Sequence, residues 1–523
     1  MSEQDKPEVR QASADATRPR SLLLNTLSSQ GVVVMEALTI AILMPLWHRV
    51  LGKELVGLWL LIWSVISFFR LVDLGLEQVT VKMIADARSR GSERMRQVTG
   101  TLFWAHVTQG VLIVGLTALC LLLFSDAVGL DGELREMTQR CLLIIGFGQA
   151  FAFPFMLFRS TLVAHQLLRI SNGYRILGSI LYLGGNLLVL TQSPKLETLA
   201  LLNLLVALLP HLLGTIHAVV RVHDLSLSPR SFRLPLLKEA WGFSLYFTII
   251  SLSLLMGSEL GKIIVKLHLD LAAVAAFGLA AKIQFQAQNF CNQVARTLTP
   301  VIAELHGAGD DARIRRIWLR GTKLSVAFTM PLMVGCIVLA EPLVLSWMTE
   351  SFIDAVAPLQ ILLIASLINV IHGNSHIMLS MRGDQRLLAW ALFGGQVLNL
   401  VLMFVFLRTH GLIGMAWAAV LSLIPMQCFV IQGHLQRREG VSALEFYRKT
   451  VVPSLLPVGV MALALWLLRT FTPLDHLIEV GLAEGFGVVL FWALFWFFGF
   501  DDEERARLRA ELDKVKARVL RRA

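Results

Sequence analysis

Arg70, Asp73, Glu77 and Lys82 lie inside one apolar stretch, LVGLWLLIWSVISFFRLVDLGLEQVTVKMIA at residues 55–85. The stretch is long enough to cross a bilayer. A membrane helix tolerates ionisable groups only where they face protein or a water-filled cavity. Spacings of three and four residues place Arg70, Asp73 and Glu77 on one helix face. Two readings stay open for them: a self-compensating Arg–Asp pair that locks two helices, or a site lining a cavity. Each such charge costs about 2.5–3.5 kcal/mol at mid-bilayer. The extra acid, Glu77, tips the balance toward a site. Lys82 lies near the end of the stretch, where a lysine snorkels to the interface.

Further candidates follow the same logic. Glu36 sits at the centre of an apolar run with no basic neighbour, so it needs a partner from another helix or a proton. It is a packing residue or a candidate proton carrier and gate. Arg159 is its candidate partner, or part of an anion site. Glu259 and Lys262 form an i, i+3 pair, with Glu259 a second gating candidate. In AAKIQFQAQNFCNQVARTLTP, Lys282, Gln286, Asn289 and Gln293 make one helical stripe that Gln288 and Asn292 widen. Such a helix cannot face lipid; it forms a packing seam or lines water. Arg70, Arg159, Lys262 and Lys282 lean cationic, which suits an anionic substrate, phosphate above all. The nearby acids leave a neutralised site open.

These residues need a scaffold, and composition says which kind. The 523 residues are 55% hydrophobic and 16% charged, where a soluble chain carries nearer a quarter charged. Apolar runs recur along the whole length, which makes this an integral membrane protein. The net charge of +10 is spread over short loops and implies no nucleic-acid partner. Cys120, Cys141, Cys291, Cys336 and Cys428 have no ligand spacing and read as packing thiols. No nucleophile–base pair, Gly-rich phosphate loop or metal cluster stands out, so neither enzyme activity, cofactor nor metal is expected. A membrane glycosyltransferase would need a larger exterior loop than any present here.

About 14 apolar spans are expected. Every second connection is basic: Arg88 to Arg96, Arg169 and Arg175, Arg221 to Lys238, Arg313 to Arg320, Arg382 and Arg386, Arg437 to Lys449. The unbroken alternation supports the count and places both termini in the cytoplasm. The expected division is a polar tail (1–20), a first lobe of six spans (21–221), a linker (222–239), a second six-span lobe (240–434), two extra spans (435–498) and a tail (499–523). In that tail Leu508, Leu512, Val515 and Val519 keep helical spacing. LGGNLLVL at 183–190 matches GGQVLNLVL at 394–402, pairing Asn186 with Asn399, and ALLPHLL matches SLIPMQC, pairing Pro210 with Pro425. Six spans per half make this a parallel repeat, and repeat-built transporters hold substrate between their halves.

The chain resembles the Wzx-type polysaccharide flippases, in the superfamily that also holds MATE drug exporters and lipid II flippases. LGKELVGLWLLIWSVISFFRLVDLGLEQVTVKMIADARSRG is similar to the family's glycine-led second helix and basic loop. ELGKIIVKLHLDLAAVAAFGLAAKIQFQAQNFCNQVARTLTPVIAELHGAGD resembles its seventh and eighth helices. MRGDQRLLAWALFGGQVLNLVLMFVFLRTHGLIGMAWAAVLS matches the later pattern of basic loop, Asn-bearing helix and Gly-rich entry. Where members often carry Asp or Asn before the basic positions of helix seven, this chain has Ser258 and Glu259. The resemblance implies transfer of undecaprenyl-diphosphate-linked oligosaccharide (O-antigen, exopolysaccharide or capsule units) across the bacterial inner membrane by alternating access. Membrane lipid and polysaccharide polymerase or assembly proteins are the partners it implies. A drug exporter or lipid II flippase of the same architecture is the alternative.

Overall fold

The computed structural model describes residues 6–73, 75–222, 224–242, 245–296, 311–506 and 509–510, with backbone alone for 6–27, 241–242, 245–247, 292–296, 311–313 and 381. The expected amphipathic tail at Leu508 to Val519 and the stripe positions Asn292 and Gln293 lie outside the described side chains. The chain is all-α and polytopic. Among the described residues, twelve helical segments are long and apolar enough to cross a membrane. One of them, Gln385–Glu439, is broken at Gly411 (φ 58°, ψ −142°). Helix Leu271–Arg296, at 26 residues, also has the length, but Lys282 and its Gln and Asn neighbours make it too polar to count among the twelve. Division of the broken helix and inclusion of the polar one return the fourteen expected spans.

The described residues fall into two compact units, Met1–Leu255 and Met256–Ala523. In the first, α1 (Lys6–Leu51) runs without interruption through the sequence expected as a polar tail. The second span is two helices, α2 (Lys53–Phe69) and α3 (Leu76–Ser89). The third is α4 (Ser92–Ala127). The fourth is again split, into α5 (Gly132–Ala152) and α6 (Met156–Ala164), at a 3₁₀ turn that holds Pro154. Proline removes a helical donor and crowds the preceding turn. Helices α7 (Leu168–Gln192) and α8 (Leu196–Arg221) follow.

Membrane helices associate through close backbone packing because lipid offers no hydrophobic contrast. The unit shows this where α4 crosses α5: a Cβ on Gly110 would lie 2.7 Å from the Ala150 carbonyl oxygen. The Trp47 indole donates to Asn186 Oδ1 at 2.9 Å and ties α1 to α7.

The segment expected as a linker is pinned to α4. The Ser226 and Arg233 amides donate to the Thr99 and Thr101 hydroxyls, at 3.0 and 2.9 Å. The Trp104 indole donates to the Leu227 carbonyl at 3.1 Å. Helices α9 (Leu234–Gly242) and α10 (Leu245–Leu255) complete the unit. The boundary between units thus falls inside the seventh span.

The second unit opens on a π turn, Met256–Leu260, and α11 (Gly261–His268). Then come α12 (Leu271–Arg296), α13 (Asp311–Val338), α14 (Ala340–Trp347) and α15 (Val356–Met381). Helix α16 (Gln385–Leu423) folds back at Gly411 and leads through a π turn, Ile424–Ile431, into α17 (Gln432–Glu439). Met426 of that turn packs on Gly395, as Pro210 of α8 packs on Gly178 of α7. Asn186 and Asn399, the repeat-related pair, are both buried. A short α18 (Ala443–Thr450) precedes α19 (Val452–Phe471) and α20 (Leu477–Phe498), which pack on α13 through Met461, Leu465, Phe491 and Phe495.

Candidate functional site

The second span breaks where its charges lie. Arg70 to Asp73 form a 3₁₀ turn, and Gly75 then takes a left-handed conformation (φ 73°) before α3. That φ suits glycine and re-aims the chain. The expected common face of Arg70, Asp73 and Glu77 is therefore corrected: a continuous helix would align them, and this one is interrupted between them. Asp73 caps the second half, its Oδ1 accepting the Glu77 amide at 3.2 Å. The carboxylate also suits the positive end of the α3 dipole.

A broken helix leaves carbonyls without intrahelical partners. In this unit α4 supplies the donors. Gln109 Nε2 donates to the carbonyls of Val72 and Asp73, at 2.8 and 3.0 Å. His106 Nδ1 donates to Gln109 Oε1 at 2.9 Å. The Thr80 hydroxyl approaches His106 Nε2 at 3.4 Å. Direction is consistent along the chain, from the Thr80 hydroxyl through the imidazole and the amide to the break. Thr80 and His106 are fully buried.

Arg70, by contrast, is exposed, and it makes no hydrogen bond or ion pair among the described residues. Arg159 is paired, its Nη1 lying 2.6 Å from Glu77 Oε1 with both side chains about one-third exposed (33% and 30%). This corrects its expected pairing with Glu36. Glu36 instead meets Arg175 of α7 at 2.7 Å. The reason is register: α7 packs along α1, whereas the short α6 carries Arg159 against α3. His211 on α8 interacts electrostatically with both Arg159 and Arg175. Among the described residues, then, Glu77 neutralises Arg159, whereas Arg70 makes no such pair.

The second unit shows the same neutralisation. Lys262 Nζ lies 2.6 Å from Glu259 Oε2, both largely buried, and Glu259 sits in the π turn. On α12 the polar positions divide by face. Gln284 donates to the Ser366 hydroxyl and to Gln288, at 2.6 and 2.7 Å, and forms a seam with α15. Gln288, expected to widen the stripe, is part of that seam because it is one turn from Gln284. Gln286 and Asn289 are partly exposed and make no hydrogen bond among the described residues. Lys282 lies on their side of the helix.

Sequence reasoning missed His106, Gln109 and His211, and a polar seam on α15. In that seam the Tyr447 hydroxyl contacts His372 Nε2 at 3.1 Å, while His372 Nδ1 donates to the Ile368 carbonyl at 2.7 Å. Burial pushes the Tyr447 hydroxyl up to about 12, so it stays a proton donor. His376 Nε2 donates to Gln427 Oε1 at 2.7 Å, and Gln427 donates to Asn369 at 3.3 Å. A signal was present: Ser366, Asn369, His372 and His376 follow helical spacing in one apolar run. Among the described residues no group of three His, Cys, Asp or Glu side chains could hold a metal.

A sequence profile described as polysaccharide biosynthesis protein matches residues 47–357. The chain belongs to that family. No curated protein matches its sequence. Its fold is shared with solved transporters of low sequence identity. The lipid II flippase MurJ, in an inward closed conformation, is 14% identical, with a TM-score of 0.71 over 91% of this chain and 99% of that one. An inward-facing multidrug resistance MATE family transporter of the MOP superfamily is 18% identical, with a TM-score of 0.68 over 77% of this chain and 96% of its own. A MOP superfamily transporter from Pyrococcus furiosus, its binding pocket of reverse polarity, is 16% identical with a TM-score of 0.55, over 80% and 96% of the two chains. The family member described here is thus a multi-pass membrane protein with the fold of those solved transporters.

Proposed function

We propose that this protein transfers an undecaprenyl-diphosphate-linked oligosaccharide across the bacterial inner membrane by alternating access, with both termini cytoplasmic. The observation that carries the substrate reading is Arg70, an exposed guanidinium that makes no hydrogen bond or ion pair among the described residues, at a break in a spanning helix. An unpaired cation at that depth is costly unless water or an anion meets it. A diphosphate offers charge-assisted, bidentate acceptors for it. The family's link to polysaccharide biosynthesis and the fold shared with a lipid II flippase support the same reading.

In this reading Asp73 holds the α3 terminus in place and leaves the anion to Arg70. The Glu77–Arg159 and Glu36–Arg175 pairs are the exchangeable contacts, which part when the headgroup competes for a guanidinium. Glu36 carries a proton only in a state where Arg175 has let it go, and Glu259 gates against Lys262. Lys282, Gln286 and Asn289 offer a lysine and amides to phosphate and sugar hydroxyls.

The acids of the first unit favour a second reading, a cation or drug exporter. Proteoliposomes separate the two. Transfer of a fluorescent lipid-diphosphate oligosaccharide to the outer leaflet, with no export of organic cations, is expected. Cation export with no lipid transfer would overturn the proposal. A collapsed proton gradient tests Glu36: transfer that continues at the same rate removes it as a proton carrier.

A further inference from the structure

A second cationic feature of the first unit lies away from the broken helix, on the basic-loop side. A cavity of about 220 Å³ is lined there by Arg88, Ser92, His165, Arg221 and Asp224. Those residues come from the ends of the second, fourth and sixth spans and the start of the third, so the cavity is a product of tertiary structure. Its volume equals that of about seven waters, room for a phosphate group and less than a drug-sized pocket offers.

Charge decides what would fill it. Asp224 is already engaged, its Oδ1 accepting from Arg96 Nη2 at 2.8 Å. Arg88 and Arg221 make no ion pair or hydrogen bond among the described residues. Both are exposed, so water screens their mutual repulsion, and two guanidiniums lining one small cavity attract an anion between them. His165 donates through Nδ1 to the Thr161 carbonyl at 2.8 Å, which leaves Nε2 as its open nitrogen. Helix α4 begins beside the cavity behind Gly91, with no side-chain cap on its first amides.

We infer that Arg88 and Arg221 form a binding site for a phosphate group, presented by an anionic lipid headgroup or by a soluble phosphate. The site is independent of Arg70 and of the substrate assigned above. Guanidinium forks match tetrahedral oxyanions, and the position at a span end is within reach of headgroups.

The test uses the full chain in phosphatidylcholine nanodiscs. One arm titrates inorganic phosphate; the other dopes the discs with phosphatidic acid and reads retained lipid by native mass spectrometry. Binding in either arm is expected, and the arm that responds names the source. The R88Q/R221Q double variant should weaken it by about tenfold or more per arginine. Asp224→Asn, which asparagine tolerates at this left-handed position (φ 66°), should tighten it by removing a repelling carboxylate. Arg230→Gln, an exposed arginine outside the cavity, should leave it unchanged. No binding in either arm overturns the inference, as does equal loss in R230Q, which would mark a diffuse surface effect.

Discussion

Gln109→Leu tests whether the break in the second span is a built feature. The side chain is 6% exposed and donates to two carbonyls of the 3₁₀ turn while accepting from His106. Leucine fills much the same volume and removes all three hydrogen bonds. Each orphaned buried group costs about 1–3 kcal/mol. His106 is fully buried and bears the full cost. The carbonyls of half-buried Val72 and Asp73 recover part of theirs from water, for a total of about 3–5 kcal/mol. Unfolding can be followed with a thiol-reactive dye, because Cys141 and Cys291 are buried until the helices part. Gln109→Leu should lower the unfolding temperature by several degrees and slow leaflet transfer. Gln109→Glu, which still accepts from His106 but sets a carboxylate against two carbonyls, should be no better. A His106→Leu/Gln109→Leu double variant should cost less than the sum of the two, since both act through one chain of hydrogen bonds. Wild-type stability and transfer in Gln109→Leu would refute the assignment.

The other expectations are briefer. Arg70→Ala should abolish transfer and leave the unfolding temperature unchanged, because the exposed Arg70 makes no hydrogen bond or ion pair among the described residues; normal surface glycan in cells carrying it would remove its role. Glu484 of α20 is packed on Gly335 of α13 and has no partner for either carboxylate oxygen among the described residues. Glu484→Met, which keeps the shape and removes the orphaned oxygens, should therefore raise the unfolding temperature, by about 1–3 kcal/mol in stability terms, and a lower temperature would show that the carboxylate has a partner in the membrane. Glu445 of α18 is held below its usual value of 4.5, first by a hydrogen bond from Lys449 and then by Arg315. Its contribution is therefore present above that value and is lost as pH falls through the depressed one. Buried Trp318, 5.1 Å from Phe446 on α18, reports the change. Acid should shift the Trp318 emission (defined by subtraction of a Trp318→Phe variant), and Glu445→Gln should abolish the shift.

Much of this protein is legible from pattern alone. Span length, alternating basic loops and the Asn186/Asn399 repeat follow from the bilayer's thickness and dielectric, which act on any chain in the same way. They yield the all-α fold, the span count and the residues too polar for lipid. Partner choice was not legible. Sequence offered Arg159 to Glu36 and put Arg175 in a basic loop, and only the packing of α7 along α1 selects Arg175. The common face of Arg70, Asp73 and Glu77 assumed an unbroken helix, and a left-handed Gly75 undoes it. A glycine permits that turn without requiring it. What makes the break affordable is the pair His106 and Gln109 on another helix, whose value as donors exists only once α4 lies beside it. Sequence by itself determined which residues must avoid lipid, because desolvation is a property of each side chain. Tertiary structure decided which charges cancel and which stay open, because pairing depends on distances between helices that no local spacing encodes.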